Sequence, residues 1–350
     1  MATQRAIKIQ RKGVAAVVDD ALIPQLRPDD VLVETYCIGL NPTDWKTTQF
    51  FPSVGSTVGC DFAGIVRAVG EAVTDLQVGD RVRGTCHGSN SKCLSDGAFA
   101  NYIAAAQVMT FKMPENMTME EGASVGVAVA TVGMCLYQSL GLRLLAAGHP
   151  RETKEPILIY GGSTSIGTLA LQIAKLCGMT VITTCSPANF DLVRSYGADF
   201  AFDYNSPTVV ADIKAAAGDN VKKIMDCVST SETGQLCGAA MGPGPDGHYV
   251  CVNPVTGIGR TDVRRTLRYA YTGLGRPCRI SGKEFPVIME DVTTTRMFQL
   301  EIWELLFKKR ALKLHPLCVR AGGLDAALKG LGEMRDGKVR GVKLIYEMKI

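Results

Sequence analysis

Residues 157–167 read ILIYGGSTSIG, and this stretch decides the fold of the second half of the chain. A short apolar run ends in a glycine pair, three hydroxyl residues and, after one isoleucine, a third glycine. Beyond it, Leu169, Ile173 and Leu176 recur at i, i+4 and i+7, the spacing of one helix face. The stretch therefore predicts a strand, a tight turn and a helix. Such a turn directs backbone N–H groups and a helix N-terminus at a diphosphate, which indicates a nucleotide cofactor.

The turn departs from the usual dinucleotide fingerprint, G-x-G-x-x-G. In that register the chain has Gly162, Thr164 and Gly167, so a threonine replaces the middle glycine. A tight strand-to-helix turn without a nucleotide is the alternative interpretation. The next strand candidate favours the nucleotide, because it follows at the spacing of a second βα unit.

The residues after that second strand candidate, 181–184, bear on the choice of cofactor. NAD enzymes usually have Asp or Glu here to bind the adenosine ribose. This chain has Cys185, Ser186 and Pro187 there, with Asn189 and Arg194 beyond, so no carboxylate stands at that position to repel a 2′-phosphate. Hydroxyl, amide and guanidinium groups can bind such a phosphate, so we predict NADPH rather than NADH.

The composition restricts the class of protein. The chain has 350 residues, of which 46% are apolar and 21% charged, enough for two globular domains. A net charge of +4 is too small to indicate nucleic-acid binding. The 12 scattered cysteines and an N-terminus without an apolar segment predict reduced thiols in a cytoplasmic protein. The longest apolar stretch, 123–145, contains Gly, Thr, Ser and Gln, so we expect a packed helix rather than a membrane span.

The pattern of predicted secondary structure changes along the chain. Residues 30–110 alternate in short runs rich in Val, Gly and Asp, which predicts an irregular β region. From about residue 156, strands and helices alternate, which predicts an α/β fold with a doubly wound parallel sheet of Rossmann type. The predicted strands are 157–160, 181–184, 200–202, 223–227, 249–252 and 342–346, and the predicted helices are 207–217, 231–241 and 293–309.

Four segments carry a family resemblance that spans nearly the whole chain. They are NPTDWK at 41–46, GCDFAG at 59–64, GDRV at 79–82 and GKVRGVKL at 337–344. They resemble the N-P-x-D-x-K, G-x-D-x-A-G, G-D-x-V and G-K-V-x-G-x-K-L segments of the zinc-free medium-chain dehydrogenase/reductases. Residues 185–204 and 331–346 further resemble the fungal trans-acting enoyl reductases of the lovastatin enoyl reductase type.

The resemblance implies a domain plan and an activity. A GroES-like catalytic domain is expected at 1–122, an NADPH-binding Rossmann domain at 123–284 and a return to the catalytic domain at 285–350. The implied activity is NADPH-dependent reduction of the α,β-double bond of a polyketide enoyl thioester held by a partner synthase. A stand-alone quinone or 2-alkenal reductase is the alternative, and a non-catalytic NADPH-binding accessory protein is an alternative of another class.

The zinc ligands of related alcohol dehydrogenases are missing from the sequence. The resemblance places a zinc-binding Cys where Asn41 stands, and His-Glu where Cys60 and Asp61 stand. Nearby, Cys86 and Cys93 flank His87 but do not supply the four cysteines of a structural zinc lobe. We therefore expect no metal.

The resemblance also assigns catalytic residues by position. Lys46 is the first candidate, to bind the cofactor ribose, contact the thioester or donate a proton, with positioning favoured over obligatory acid catalysis. Thr131 is the second, beside the nicotinamide and the enoyl group, although a threonine in an apolar helix often bonds its own backbone. Asp44 is expected to orient Lys46 or a loop amide.

The remaining site residues are carried over in the same way. The residues expected to bind the cofactor fall into five groups. They belong to the active-site segment, the turn at the diphosphate, the residues near the adenosine phosphate, the residues near the carboxamide and the closing tail: Thr43, Asp44, Trp45, Lys46, Ser163, Thr164, Ser165, Ile166, Ser186, Pro187, Ala188, Asn189, Tyr204, Cys251, Val252, Val339 and Arg340. The substrate set combines the apolar run before residue 132 with a glycine-rich loop: Ser124, Val127, Ala128, Thr131, Tyr271, Thr272, Gly273, Leu274 and Gly275.

The expected partner is the acyl carrier protein of a highly reducing polyketide synthase or a synthase–peptide synthetase hybrid. Such carriers are acidic, and two basic clusters could meet one. Arg264, Arg265 and Arg268, taken to lie at helical spacing, form the first cluster, with Arg276 and Arg279 beyond; the second comprises Lys308, Lys309, Arg310 and Lys313. A solvated helix face is the alternative for each. The resemblance favours a monomer, with no nucleic acid and no membrane as partners.

Overall fold

The computed structural model describes residues 2–143, 154–309 and 311–348. The chain forms two compact units. The first comprises Met1–Val127, Tyr271–Lys309 and Leu314–Ile350, and the second comprises Ala128–Ala270 and Arg310–Lys313. Residues 123–127 and 271–284, expected in the cofactor domain, thus pack with the first unit.

The N-terminal part is rich in β-structure, with short helices between the strands. Its elements in chain order are β1 (Thr3–Arg11), β2 (Val14–Leu22), β3 (Asp30–Gly39), α1 (Pro42–Phe50), β4 (Asp61–Val69), β5 (Arg81–Thr85), β6 (Tyr102–Ala106), β7 (Thr110–Lys112) and α2 (Met119–Gly122).

The central part alternates strands and helices. Its elements are α3 (Gly126–Val132), β8 (Pro156–Tyr160), α4 (Ser165–Leu176), β9 (Thr180–Cys185), α5 (Phe190–Ser195), β10 (Phe200–Asp203), α6 (Val209–Ala217), β11 (Lys223–Asp226), α7 (Ser231–Ala240), β12 (His248–Cys251) and β13 (Arg264–Leu267). Each strand predicted here lies within one or two residues of its observed bounds.

The C-terminal part returns to the first unit. Its elements are β14 (Cys278–Ile280), β15 (Lys283–Phe285), α8 (Met289–Trp303), β16 (Leu317–Arg320), α9 (Gly323–Arg335) and β17 (Lys343–Glu347). The helix predicted at 293–309 begins four residues earlier and continues past Trp303 as the π-helical segment Glu304–Lys308.

The first unit is built on a mixed sheet with the neighbour order β16-β17-β3-β4-β5-β7, in which β6 also pairs with β3. β17 runs antiparallel to β3, so the C-terminal strand lies beside the strand that leads into α1. Phe62, Phe99 and Tyr346 are fully buried in its apolar core. The sheet therefore joins residues from both ends of the chain.

The second unit is built on a parallel sheet with the order β10-β9-β8-β11-β12-β13. β8 comes first in sequence, and the chain then fills one side of it before crossing to the other at β11. The carboxyl ends of β8 and β11 thus form the topological switch point, where ligands bind in sheets of this kind. The predicted doubly wound α/β fold is confirmed.

Among the residues that the structure describes, one helical stretch is long and apolar enough to cross a membrane by length and composition; it is Met119–Ser139, which contains α2, α3 and the π-helical segment Gly133–Ser139. Most of its apolar window, 78%, is buried inside the protein. This degree of burial is typical of the core helix of a soluble protein, which agrees with the packed helix expected for 123–145.

The first basic cluster does not form a helix face. Arg264 and Arg265 lie in β13, where neighbouring side chains point to opposite faces, so the expectation of helical spacing is wrong. Arg268 donates to the Ser139 hydroxyl, and Arg276 forms ion pairs with Asp29 and Asp30. In the second cluster, Arg310 and the side chain of Lys308 lie outside the described residues.

Candidate active site

The segment predicted to hold the catalytic lysine forms the first turn of α1. Asn41 precedes the helix, and Pro42 occupies its first position, where no backbone N–H is needed. Asp44 Oδ2 accepts the backbone N–H of Asn41 at 2.7 Å, which fixes the start of the helix. Lys46 follows half a turn later and is half-buried.

The side chain of Asn41 belongs to a buried polar cluster with Asp61 and Lys343, here named the charge cluster. Lys343 Nζ lies 2.6 Å from Asp61 Oδ2 and 2.7 Å from Asn41 Oδ1. Asn41 Nδ2 donates to the same carboxylate oxygen at 3.0 Å, and Asp61 Oδ1 accepts the N–H of Val127 at 2.7 Å. The side chains of Lys343 and Asp61 are 2% and 0% exposed. A buried ion pair with its hydrogen bonds satisfied is therefore fixed next to α1.

Asp44 itself is an unusual carboxyl group. Burial raises its pKa to about 7, the nearby charge of Asp61 adds to this, and the Asn41 N–H opposes it. The loop amide, one of the two partners predicted for Asp44, donates to its Oδ2.

Tyr271, predicted as a substrate residue, is tied to the segment predicted to bind the cofactor. Its hydroxyl lies 2.9 Å from Thr43 Oγ1 and 3.3 Å from Cys60 Sγ. Its ring stacks on that of His87 with a centroid distance of 4.2 Å. Burial lowers the pKa of His87 to about 4, so the imidazole is neutral at pH 7. The structure thus brings Thr43 and Tyr271 together, and the 271–275 loop is anchored on α1.

The residues at the expected zinc positions do not fit a metal ion. The Asn41 amide and the Asp61 carboxylate are engaged with the ammonium group of Lys343. Burial raises the pKa of the Cys60 thiol well above its usual range, whereas a zinc ligand must be a thiolate. In the described part of the chain, no group of three or more His, Cys, Asp or Glu side chains could hold a metal.

The other predicted residues of the first unit differ in their surroundings. Trp45 packs partly against the apolar core, as does Val339, and Arg340 is exposed. Thr272 is buried and donates to Asp291 Oδ2 at 2.5 Å, so its hydroxyl is used inside the protein. Four more predicted substrate residues, Ser124, Val127, Gly273 and Leu274, lie in this unit with Gly275, whose φ is +70°.

The turn predicted to bind the diphosphate lies at the switch point of the second unit. Thr164 is the N-cap of α4: its Oγ1 accepts the N–H of Gly167 at 3.0 Å and donates to the carbonyl of Gly161 at 2.8 Å. The threonine that replaces the middle glycine thus has a local structural role. A Cβ on Gly162 would lie 2.1 Å from Thr183 Oγ1, so a glycine is needed there. The backbone N–H groups of Ser163, Ser165 and Ile166 find no acceptor within the described residues, which suits an anion.

The residues predicted at the adenosine phosphate follow β9. Ser186, Pro187, Ala188 and Asn189 form a half-buried to exposed turn, in which Asn189 Nδ2 donates to Ser186 Oγ at 3.1 Å. Arg194 lies over the ring of Phe190, and Tyr204 is exposed beyond β10. A hydroxyl and an amide are thus available in this turn, whereas the Arg194 guanidinium lies 3.7 Å from the carboxylate of the exposed Asp191.

The remaining predicted residues of the second unit are buried or occupied. Cys251 ends β12, and the N–H of Val252 donates to Ser229 Oγ at 2.9 Å. Ala128 and Thr131 are buried in α3. Thr131 and Ala128 thus belong to a different unit from Ser124 and Val127, with which they were grouped.

Sequence reasoning missed two groups of residues. Lys343 belongs to the closing motif, and a lysine inside an apolar strand is a signal for a buried ion pair. In the second unit, buried Asp226 accepts hydrogen bonds from Thr233 and Tyr249 and from the backbone of Ser229, which holds the loop after β11 at the switch point. An acidic residue at the end of a predicted strand was the available signal.

Comparisons with known proteins agree with this plan. Residues 27–115 match the family described as alcohol dehydrogenase GroES-like domain, and residues 165–262 match the family described as zinc-binding dehydrogenase. A trans-enoyl reductase of Macrophomina phaseolina (strain MS6) is 38% identical over 99% of this chain and 98% of its own length. A trans-enoyl reductase of Alternaria alternata is 37% identical over 99% of this chain and all of its own.

Solved structures show the same fold at lower identity. The CurK enoyl reductase superposes with a TM-score of 0.75 at 20% identity, over 99% of this chain and 100% of that one. A quinone oxidoreductase of Pseudomonas syringae pv. Tomato DC3000 gives a TM-score of 0.77 at 23% identity, over 98% of this chain and 99% of that one. Mycobacterial Rv1454c, whose structure contains NADPH, gives 0.77 at 20% identity with the same coverage. From the fold, the two matched family descriptions and these full-length relatives, the chain belongs to the medium-chain dehydrogenase/reductase superfamily of oxidoreductases, in the family of the fungal trans-enoyl reductases.

Proposed function

We propose that this protein is a trans-acting, NADPH-dependent enoyl reductase of secondary metabolism. Its substrate would be an α,β-unsaturated polyketide thioester on the acyl carrier protein of a partner highly reducing polyketide synthase or synthase–peptide synthetase hybrid. The observation that carries the proposal is the identity of 35–38%, over 93–99% of the chain, to proteins named trans-enoyl reductases.

The residues present suit a nicotinamide cofactor in the second unit. The unsatisfied N–H groups of the Ser163–Ile166 turn would bind its diphosphate, and Ser186 and Asn189 would bind a 2′-phosphate, with Arg194 as the nearby cation. When bound, NADPH supplies the hydride that adds to the β-carbon of the enoyl group. The absence of a carboxylate among residues 185–190 supports NADPH over NADH.

The chain's own residues would position the substrate and manage the proton. Addition of hydride leaves negative charge on the thioester carbonyl, and a proton must then reach the α-carbon. Lys46 would donate a hydrogen bond or the proton, and Thr131 would orient the enoyl group. The side-chain oxygens of Asn41 and Asp61, which could otherwise bind a metal ion, accept hydrogen bonds from Lys343. This supports a reaction without a metal ion. Conjugate reduction suits such a site, because an enolate needs only hydrogen-bond stabilisation.

We further propose that the enzyme is a cytoplasmic monomer that meets its carrier transiently. The net charge of +4 would favour an acidic carrier, although exposed charges are screened by salt. Arg264 and Arg265 are exposed on β13, an edge strand of the parallel sheet. Charged residues on an edge strand oppose pairing with a second copy, which supports the monomer.

Oxidation of NADPH should be measured with an α,β-unsaturated acyl-pantetheine thioester, a simple quinone and a free enal. Turnover on the thioester, with little activity towards the other two or with NADH, is the expected result. Efficient reduction of the quinone or enal with no turnover of the thioester would instead establish a stand-alone reductase. If all three are inert, the thioester on its carrier protein separates a carrier-dependent enzyme from a non-catalytic NADPH-binding protein.

Lys46→Ala should lower kcat/KM for the thioester by about 100- to 1,000-fold, the usual effect of removing one hydrogen-bond donor to developing charge. Lys329→Ala is the matched control, because Lys329 is exposed on α9 of the same unit. Normal turnover by Lys46→Ala would remove Lys46 from the mechanism.

A further inference from the structure

Arg83 is a buried cation without an anionic partner. It lies in β5 and is 1% exposed. Its Nη1 donates to Gln299 Oε1 at 2.8 Å, and its Nε is buried with no hydrogen-bond partner. In the part of the chain that the structure describes, no carboxylate forms an ion pair with it. Lys343, the other deeply buried cation of this unit, is by contrast paired with Asp61.

A buried charge without a counter-ion is costly, so its presence requires a reason. Burial lowers the pKa of Arg83 to about 10, with the more distant Asp61 opposing the shift, so the guanidinium still carries its charge at pH 7. Its carbon lies 5.2 Å from the centroid of the Phe111 ring and 5.0 Å from that of Trp303. The two rings stabilise the cation through their faces but accept no strong hydrogen bond from its edge.

A cavity of about 330 Å³ opens beside this guanidinium, inside the first unit. Two other cations line it, but Lys112 is paired with Asp80 and Arg296 with Asp75. Its apolar lining comes from Leu76, Phe111, Leu300 and Trp303. The volume lies at the lower end of that of small-molecule sites, about 300–1,000 Å³. The cavity thus combines an unpaired cation with an apolar wall.

We propose that this cavity binds an apolar carboxylate, with the carboxylate on Arg83 and the hydrocarbon body along Phe111, Trp303 and Leu300. A planar guanidinium suits a carboxylate because two N–H groups can meet its two oxygens. The flanking aromatic rings suit a hydrocarbon better than a hydrated inorganic anion. This ligand site does not depend on the proposed hydride transfer, since none of the residues above belongs to the predicted catalytic set.

The fluorescence of Trp303 provides a local readout. The chain has only two tryptophans, Trp45 and Trp303, so in a Trp45→Phe background the emission comes from the cavity wall. Sodium octanoate is the probe, and octan-1-ol is its uncharged match. We expect a saturable change with octanoate, and binding at least about tenfold weaker for octan-1-ol, since the charge-assisted bond to Arg83 is lost.

Arg83→Met in the same background should weaken octanoate binding by at least about tenfold, whereas Arg83→Lys should retain part of it. If Arg83→Met does not fold, Leu300→Glu replaces it, because Leu300 lines the cavity and is 53% exposed. A carboxylate at that position should weaken octanoate binding more than octan-1-ol binding, because both ligands lose the apolar contact with Leu300 and only octanoate is also repelled. Equal binding of octanoate and octan-1-ol, unchanged octanoate binding in these variants, or no saturable response would each overturn the proposal.

Discussion

The two units hold their predicted functional residues by different means. In the first unit, the charge cluster joins Asn41, Asp61 and Lys343, which lie far apart in sequence and meet in a buried ion pair. In the second unit, the diphosphate turn is held by neighbours: Thr164 caps α4 through Gly167 and Gly161, all within seven residues.

The contacts of the two units differ in energy as well as in sequence separation. Breaking a buried ion pair leaves an uncompensated charge, which costs about 3–5 kcal/mol. Removing one helix cap at a partly exposed turn costs about 1 kcal/mol, because water can take over the freed N–H group. The first unit should therefore lose much stability when its charge cluster is disturbed, whereas the turn of the second unit should lose little.

The largest expected effect tests the charge cluster. Lys343→Met should lower the free energy of unfolding by about 3–5 kcal/mol, because Asp61 stays buried without its cation. Chemical denaturation followed by circular dichroism measures this. Adding Asp61→Asn should recover stability, since the neutral amide keeps an acceptor for the Val127 N–H.

Arg83→Met is the matched control for that variant. It removes another deeply buried cation of the same unit but leaves only the neutral amide oxygen of Gln299 without its donor, so its cost should be about 1–3 kcal/mol. Equal losses for the two variants would show that burial of the side chain matters rather than the ion pair.

An intermediate effect concerns Asp44 and pH. Its folded pKa of about 7 lies above the unfolded value of 3.8, so the folded state binds the proton more tightly. Asp44 therefore lowers stability as the pH rises from about 4 to 7, by roughly 2–4 kcal/mol in total. Asp44→Asn should remove this loss, while its amide oxygen can still accept the Asn41 N–H.

The measurement must be the difference between wild type and Asp44→Asn across that range. His87, His248 and His315 have pKa values lowered to about 4 by burial, so they destabilise the fold as the pH falls and act in the opposite sense. A flat difference curve between pH 4 and 7 would mean that Asp44 is ionised in the folded protein as it is in water.

The smallest effect tests the cofactor turn. Thr164→Ala should cost about 1 kcal/mol of stability and weaken NADPH binding a few-fold, whereas Thr164→Ser keeps the capping oxygen and should behave like wild type. Thermal melting and titration with NADPH measure the two quantities. If Thr164→Ala costs as much as Lys343→Met, the contrast between the two units is wrong.

The sequence predicted the second unit well because its signals are local. The apolar runs, the glycines at 161, 162 and 167 and the helical spacing beyond them lie within one βα unit, and the observed strands match the predicted ones closely. The spacing of Arg264, Arg265 and Arg268 led to the wrong prediction of a helix, because this spacing is compatible with a strand as well. Hydrogen bonding to β12 places Arg264 and Arg265 in a strand. The roles assigned to Lys46 and Thr131 stay predictions.

The order of the secondary elements, the strand–turn–helix at 157–176 and the family could all be predicted from the sequence, since each depends on residues close together or on motifs with fixed spacing. The folded structure was needed to show that Lys343 neutralises Asp61, that Tyr271 is anchored on Thr43, and that Arg83 lies buried with no carboxylate partner among the described residues. These contacts join residues more than 200 positions apart in the sequence. The sequence alone does not indicate which distant residue forms an ion pair or hydrogen bond with a given charged or hydroxyl side chain. Burial sets the energy of each contact, and burial is a property of the folded chain alone.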